Sequence, residues 1–365
     1  MKKTVLGIAA VGAASTLFLQ HYPMFGKTPN AKKRLSFLGS PNYEKNKFKN
    51  NYPTTMGSDL KSLGSIIKDY ARKIPNLTPS HPIPMQIFKP NSHSHPQARV
   101  TWFGHSTVFL EINGKRIFID PMLGHSPSPF PQIGGKRYSQ DIPVDKEDIP
   151  DIDIVLYSHD HYDHLDFDSV NLLKNKVGQF IVPLGVGSRL EGWGVPKGKI
   201  KELDWWDTIE HSGIQFISTP ARHFSGRSLF DQNSTLWTSW VIQSGETNIF
   251  YSGDSGYGPH FKEIGSQHGP FDFTMIECGQ YDERWADIHL TPEETVQAHL
   301  DVNGKLMMPI HWSAFTLAFH EWTDPIERVT KAAVDRGVAI TTPKIGQSVL
   351  IGVEEYPLEH WWKTI

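Results

Sequence analysis

Cysteine is almost missing from this chain: 365 residues contain one, Cys278. An intramolecular disulfide is therefore impossible, a lipid-modified cysteine near the N-terminus is excluded, and stability must come from packing and from any metal the chain holds. Cys278 closes the apolar stretch F-D-F-T-M-I-E-C and reads as a small core residue. Blocks of like charge are also absent, and the formal net charge is only -3. That balance suits neither a nucleic-acid groove nor a polyanionic substrate. No repeat or low-complexity tract is visible. Aromatic residues, by contrast, are plentiful, with 11 Trp, 20 Phe and 11 Tyr. Core packing accounts for most of them, and Trp205, Trp206, Trp361 and Trp362 are the ones to weigh against a bilayer interface or an apolar ligand.

The first residues differ in kind from the rest. Lys2 and Lys3 precede an apolar run from Val5 to Leu19, shorter than the roughly 20 residues that span a bilayer comfortably, as in an export signal. Ala13, Ala14 and Ser15 offer small residues for cleavage, while Leu17, Phe18 and Leu19 prolong the run, so an uncleaved anchor is the other reading. The expected organisation is a signal peptide or N-terminal membrane anchor over 1–21, an arm over 22–97 that wraps the surface, and one folded domain over 98–365. The expected location is outside the cytoplasm, periplasmic or in the cell envelope, held at the membrane if the first segment stays uncleaved.

The arm is rich in Lys, Asn, Pro and Ser, with one helical pattern near Leu60 to Lys73. From Arg99 the pattern turns to strands. Asn113-Gly114 between two β-rich runs is a hairpin signal, and the second run ends at Asp120-Pro121. A Gly- and Pro-rich loop from Met122 to Pro150 is too long for a mere connector, so it is expected to shape an entrance. Ile152 to Tyr157 reads as a strand covered on both faces. Further strands are expected at Gln179–Leu184, Ile200–Leu203, Gly213–Thr219, in a hairpin turning at Gly245, at Phe271–Cys278 and at Leu306–Ile310. Helices are expected at Phe167–Lys176, at Pro292–Asp301 behind a Thr291/Glu294 capping box, and at Pro325–Asp335 before Gly337. Strands thus dominate with helices in the crossovers, which implies two facing sheets with helices outside.

The chemistry concentrates in S-H-D-H-Y-D-H-L, Ser158 to Leu165. His159, Asp160, His161, Asp163 and His164 would be costly to bury without a partner, and a divalent metal satisfies such groups together. The arrangement recurs downstream. His223 follows a strand in P-A-R-H-F-S-G-R, Asp254 ends one in S-G-D-S-G, and His311 ends another. One rim of the sandwich would gather His159, His161, Asp163, His164, His223, Asp254 and His311. Glycines around Asp254 are expected to let the backbone approach a ligand.

H-D-H-Y-D-H, a single His, G-D and a late single His resemble the metallo-β-lactamase superfamily. W-F-G-H-S-T, F-I-D-P, R-H-F-S-G-R, Y-S-G-D-S-G-Y, H-L-T-P-E-E and I-H-W-S-A-F look like its branch of N-acylphosphatidylethanolamine-hydrolysing phospholipase D and bacterial relatives, over about Ser40 to Gly346. The resemblance implies an α/β fold, the αβ/βα sandwich of two mixed β-sheets flanked by helices, with 98–365 as the catalytic domain. It implies two Zn2+ ions, Fe or Mn being the alternative. His159, His161 and His223 would hold one, Asp163, His164 and His311 the other, and Asp254 would bridge them and share in catalysis. His289 matches a family histidine that would contact phosphate or protonate the leaving alkoxide. His105 and Asp120 would orient the ligands by hydrogen bonds, and Tyr162 and Arg227 would line the cleft. His93, His95, His125, His211, His260, His268, His299, His320 and His360 read as ordinary solvated or packed residues.

The implied activity is a metal-dependent phosphodiesterase of phospholipase D type, acting on a phospholipid at a membrane surface and on no nucleic acid. Two other readings stay open: a zinc hydrolase of the same fold acting on a lactone or cyclic phosphodiester, and a non-catalytic envelope protein.

Overall fold

The computed structural model describes residues 22–56, 60–70, 72–90, 97–132 and 134–365. The expected signal or anchor, and His93 and His95, lie outside the described residues. Helix α1 (Ala31–Leu35), the hairpin β1 (Tyr43–Glu44) and β2 (Lys47–Phe48), and helix α2 (Leu60–Tyr70) make up the arm. Phe37, Tyr43 and Phe48 bury their rings against Trp205, Ala221, Leu236 and Trp237 of the sandwich.

Two seven-stranded sheets follow. The first holds β3 (Arg99–Trp102), β4 (Val108–Ile112), β5 (Lys115–Ile119), β6 (Ile152–Leu156), β7 (Val177–Pro183) and β8 (Ile200–Leu203). The second holds β9 (Thr208–His211), β10 (Ile214–Thr219), β11 (Ser239–Ser244), β12 (Thr247–Tyr251), β13 (Phe271–Glu277), β14 (Gly304–Ile310) and β15 (Ala339–Ile340). Strand β16 (Ser348–Leu350) returns to pair with β3. In each sheet three antiparallel pairings give way to three parallel ones, at β5–β6 and at β12–β13. The two halves share a connectivity that no sequence repeat reveals.

Period-2 alternation assigns each strand residue to a layer. Ile117, Ile119, Ile154 and Leu156 face inward to meet Phe216, Trp240, Ile249, Tyr251 and Met275 of the opposite sheet. Their neighbours Phe118, Val155 and Phe180 face outward, under Val170 and Leu173 of α3 (Phe167–Leu173) and Leu190 of α4 (Gly187–Gly192). On the other flank Val241, Phe250 and Ile276 are covered by Phe261 and Ile264 of α5 (His260–His268) and by Ala298 of α6 (Pro292–Asp301), with α7 (Asp324–Asp335) packed beside α6. Thr291 caps α6 with its reciprocal Glu294 box, as expected.

Strand β9 and helices α4 and α5 were not expected from sequence. In α5, Gly265 weakens the helical pattern, yet a Cβ there would lie 2.2 Å from the Asp301 carbonyl, so close crossing with α6 outweighs propensity. Trp205, Trp361 and Trp362 are buried, so these three serve packing. Among the described residues no helix is long and apolar enough to cross a membrane.

Trp240 sits at the centre of the interface between the sheets, fully buried, with its indole N–H donating to the Tyr157 carbonyl at 3.1 Å. Trp240→Ala leaves a cavity and an unpaired carbonyl. It is expected to lower unfolding free energy by about 3–5 kcal/mol in a denaturant titration; a loss below about 1 kcal/mol would contradict this packing.

Candidate metal centre

The parallel strands of both sheets end at one rim, and their last residues carry the donors. At the end of β5, Asp120 turns back with φ +41°. Its fully buried carboxylate accepts four hydrogen bonds: from Ser158 N (2.7 Å), Ser158 Oγ (2.5 Å), Tyr251 Oη (2.7 Å) and His164 Nδ1 (2.7 Å). The loop after β6 is thereby fixed to β5 and to β12 across the sandwich.

From that loop His159 and His161 converge with His223, which follows β10. His159 Nε2 lies 2.9 Å and His223 Nε2 3.2 Å from His161 Nδ1. Asp254, after β12, brings Oδ2 within 3.7 Å of His159 Nε2 and 3.8 Å of His223 Nε2. Next to this group stands a second. His164 Nε2 is 3.1 Å from Asp254 Oδ2 and 3.4 Å from Asp163 Oδ2, and His311 Nδ1 is 3.1 Å from Asp254 Oδ1. The donor atoms of His159, His161, His223 and Asp254 lie within 4.8 Å of one another, as do those of His105, Asp163, His164 and His311. All seven residues expected from sequence are thus brought together, with Asp254 between the two clusters.

The outward nitrogens are tied down. His223 Nδ1 donates to the Ile288 carbonyl at 2.9 Å, and His164 Nδ1 to Asp120, so each leaves a bare Nε2 turned inward. His105 bonds Asp163 Oδ2 through Nε2 at 2.8 Å and steadies it, as expected. Burial, reinforced by neighbouring imidazoles, holds His159, His223 and His311 well below the usual histidine range. Burial also brings His161 down to about 4 and lifts Asp254 to about 7. For His164 burial works downward, but the carboxylates of Asp254, Asp163 and Asp120 prevail and raise it. Lone pairs pointed at one another are repulsive, and His161 Nε2 and Asp254 Oδ1 are buried with no hydrogen bond. A set of imidazoles and carboxylates with orphaned atoms fits a borderline divalent cation.

Four residues, Glu277, Arg227, Gly253 and Gly256, have roles that sequence reasoning missed or misassigned. Glu277, at the end of β13, is fully buried; it accepts from Ser255 N and pairs with His289 Nδ1 at 2.7 Å. Its signal was an acidic residue at the rim end of an otherwise apolar strand. Arg227 does not line the cleft: it is buried beneath the loop, donating to the carbonyls of Asp160 and Leu165 (both 2.7 Å), with its guanidinium 3.9 Å from the Tyr162 ring. The glycines beside Asp254 make room for protein rather than for ligand. A Cβ on Gly253 would lie 2.8 Å from the Thr238 carbonyl, and one on Gly256 2.0 Å from that of Asp287. Of the other histidines, His260 and His299 are packed, bonded to Ser255 and Thr274.

Above the donors opens a cleft of about 270 Å³. Its lining combines the polar His161, Asp163, Asp254, Gln280, His289 and His311 with the apolar Met56, Phe224, Trp285, Ile288 and Leu317.

This fold, with such a rim, defines a metal-dependent hydrolase. A family model described as "Beta-lactamase superfamily domain" matches residues 115–312. An uncharacterized protein of Mycobacterium tuberculosis is 40% identical over 331 residues, 89% of this chain and 88% of its own. A Caenorhabditis elegans protein named N-acyl-phosphatidylethanolamine-hydrolyzing phospholipase D 1 is 34% identical over 242 residues, 63% of this chain and 68% of its own. The structure of Igni18, a metallo hydrolase from Ignicoccus hospitalis, superimposes with a TM-score of 0.54 at 19% identity, covering 71% of this chain and 100% of that one. The chain belongs to the metallo-β-lactamase superfamily, in the branch that includes the N-acyl-phosphatidylethanolamine-hydrolyzing phospholipases D.

If Asp120 sets the orientation of His164, Asp120→Asn should weaken metal binding by about 10–100-fold in a competition titration while the protein stays folded by circular dichroism. Unchanged affinity in the folded variant would refute that role.

Proposed function

We propose that this chain is a dinuclear zinc phosphodiesterase of phospholipase D type, acting on N-acylphosphatidylethanolamine or a closely related phospholipid. One observation carries the reading. Among the described residues no Lys or Arg lines the cleft, yet five apolar side chains do. A phosphodiester entering it would find charge neutralisation only at the donor cluster, whereas acyl chains would find an apolar wall. The name of the Caenorhabditis elegans relative supports the same substrate class.

In this reading His159, His161 and His223 would hold one zinc, Asp163, His164 and His311 would hold the other, and Asp254 would serve both. Imidazole and carboxylate donors suit zinc, Fe or Mn being the alternative, and the absence of thiolate excludes an iron–sulfur centre. Bound zinc supplies Lewis acidity and lowers the pKa of water to the neutral range. The chain's own residues do the rest. The apolar wall orients the lipid, and His289, tied through Nδ1 to Glu277, presents Nε2 to a phosphoryl oxygen or returns a proton to the leaving alkoxide. Water adds to phosphorus, the bond from phosphorus to the N-acylethanolamine oxygen breaks, and phosphatidic acid remains. Residues 98–365 act as the catalytic unit and 22–97 as its wrapping arm. Lys2, Lys3 and the apolar run after them support a location beyond the cytoplasmic membrane, close to lipid.

The test is headgroup release from N-acylphosphatidylethanolamine by zinc-loaded protein. Turnover is expected, with a loss of about 100-fold or more in Asp254→Asn. Hydrolysis of lactones or soluble diesters with the lipid left intact would remove the phospholipase reading. The pH dependence of metal retention has a defined sign. Burial holds His161 near 4 and His159, His223 and His311 well below the usual histidine range, so these imidazoles stay unprotonated at neutral pH and each proton they take competes with the metal only as pH falls through about 4. Zinc per chain after dialysis should therefore hold at about pH 6 and fall once pH drops through about 4. Loss of zinc already complete at about pH 6 would contradict this buried set of ligands.

A further inference from the structure

Leu229 and Phe230 are 87% and 81% exposed, and they are held that way. The buried Asp231 carboxylate accepts from Arg227 N (3.0 Å) and Ser228 N (2.7 Å) through Oδ1, and from Arg189 Nη2 (2.7 Å) through Oδ2. Arg189 is buried as well and also binds Asp160 Oδ2, at 3.0 Å through Nη2. An ionic scaffold beneath the catalytic loop thus fixes a turn whose tip offers two large apolar side chains to water. Such a cost on a surface loop points to a partner for the tip.

Its surroundings say which partner. On one flank, Gln232 Nε2 lies 3.5 Å from Met56 Sδ, and Met56 lines the cleft, so the tip borders the mouth. Leu317, another lining residue, is 39% exposed. On the other flank, Arg227 Nη2 donates to the Met24 carbonyl at 2.7 Å. Two residues before Met24, Tyr22 stacks on Phe130 at 5.5 Å, and Phe130 is 36% exposed. Immediately upstream of Tyr22 lie residues 1–21, with Lys2, Lys3 and the apolar run from Val5 to Leu19. Direct contacts therefore join the apolar tip to the cleft lining on one flank and, through Arg227 and Met24, to the beginning of the described chain on the other.

We propose that the surface around this tip is a bilayer-docking face: Leu229 and Phe230 enter the boundary between headgroups and acyl chains beside the cleft mouth. The proposal rests on the lipid reading of the cleft. A second copy of the chain is the competing occupant. The apolar run upstream of Tyr22 argues for the bilayer, because a lipid-seeking run and a protein-seeking tip in one chain would work against each other.

The test uses the full chain. Cys278 is buried, so a solvatochromic thiol dye labels Leu229→Cys selectively, with Val334→Cys as the control, Val334 being 77% exposed on α7. Vesicles of phosphatidylethanolamine and phosphatidylcholine, with brominated phosphatidylcholine as quencher, should blue-shift and quench the dye at 229 and leave it unchanged at 334. No response at 229, or equal responses at both sites, would overturn the proposal. So would a shift that needs no vesicles and grows with protein concentration, which would assign the tip to a second copy. In parallel, the double variant Leu229→Ser/Phe230→Ser should hydrolyse vesicle lipid about 10-fold or more slowly, with its rate on soluble bis(4-nitrophenyl) phosphate unchanged. Insertion without lipid turnover would remove the phospholipase reading and keep the docking face. Equal lipid turnover in wild type and double variant, with no insertion, would do the reverse.

Discussion

Four hydrogen bonds converge on the carboxylate of Asp120, and the geometry of the metal centre depends on them. A buried carboxylate is tolerable only when its oxygens are saturated. Here the donors come from three places: the backbone and hydroxyl of Ser158, the ring of His164 and the phenol of Tyr251. One acid thus sets the exit of β6, the direction in which His164 offers its free nitrogen, and the distance between the sheets at the rim. Networks of this kind stabilise when complete and penalise any missing member. The backbone shows a related constraint: Asp120, His105, Gln280 and His311 all adopt positive φ, +41°, +53°, +64° and +65°. Non-glycine residues hold such angles only where their surroundings dictate them, and they gather at functional sites.

The repeated connectivity explains why the donors meet. In each sheet the change from antiparallel to parallel pairing sends adjacent strands out at the same edge, and facing sheets align the two edges. Asp120 and Asp254 follow the corresponding strands β5 and β12, yet they do different work. Asp120 is saturated by protein donors and acts through His164; Asp254 Oδ1 accepts no hydrogen bond, although His311 Nδ1 lies 3.1 Å away, and the carboxylate lies between two clusters of nitrogens. The same position in the two halves is thus structural in one and open to a ligand in the other.

Much of this was legible in the sequence, and the reason is local. The H-x-H-x-D-H spacing lies within one loop, and His223, Asp254 and His311 each follow a recognisable apolar strand, so chemistry and position are read together. The sheets and the α6 capping box follow from period-2 runs and from Thr291/Glu294. What was hidden depends on distant partners. Glu277 looks like a strand residue until His289 is beside it. Arg227 looks like a cleft residue until Asp160, Leu165 and Met24 are seen to occupy its donors. Gly265 hides α5, since its value lies in the approach of α6, and the glycines around Asp254 answer to Thr238 and Asp287 rather than to a ligand.

The proposed hydrolysis requires two metal ions that share Asp254 at the rim, and anomalous scattering from zinc-grown crystals addresses this directly. Two peaks are expected, one among His159, His161 and His223 and one among Asp163, His164 and His311, with Asp254 between them. A single peak, or peaks away from these residues, would contradict the dinuclear centre on which the rest depends.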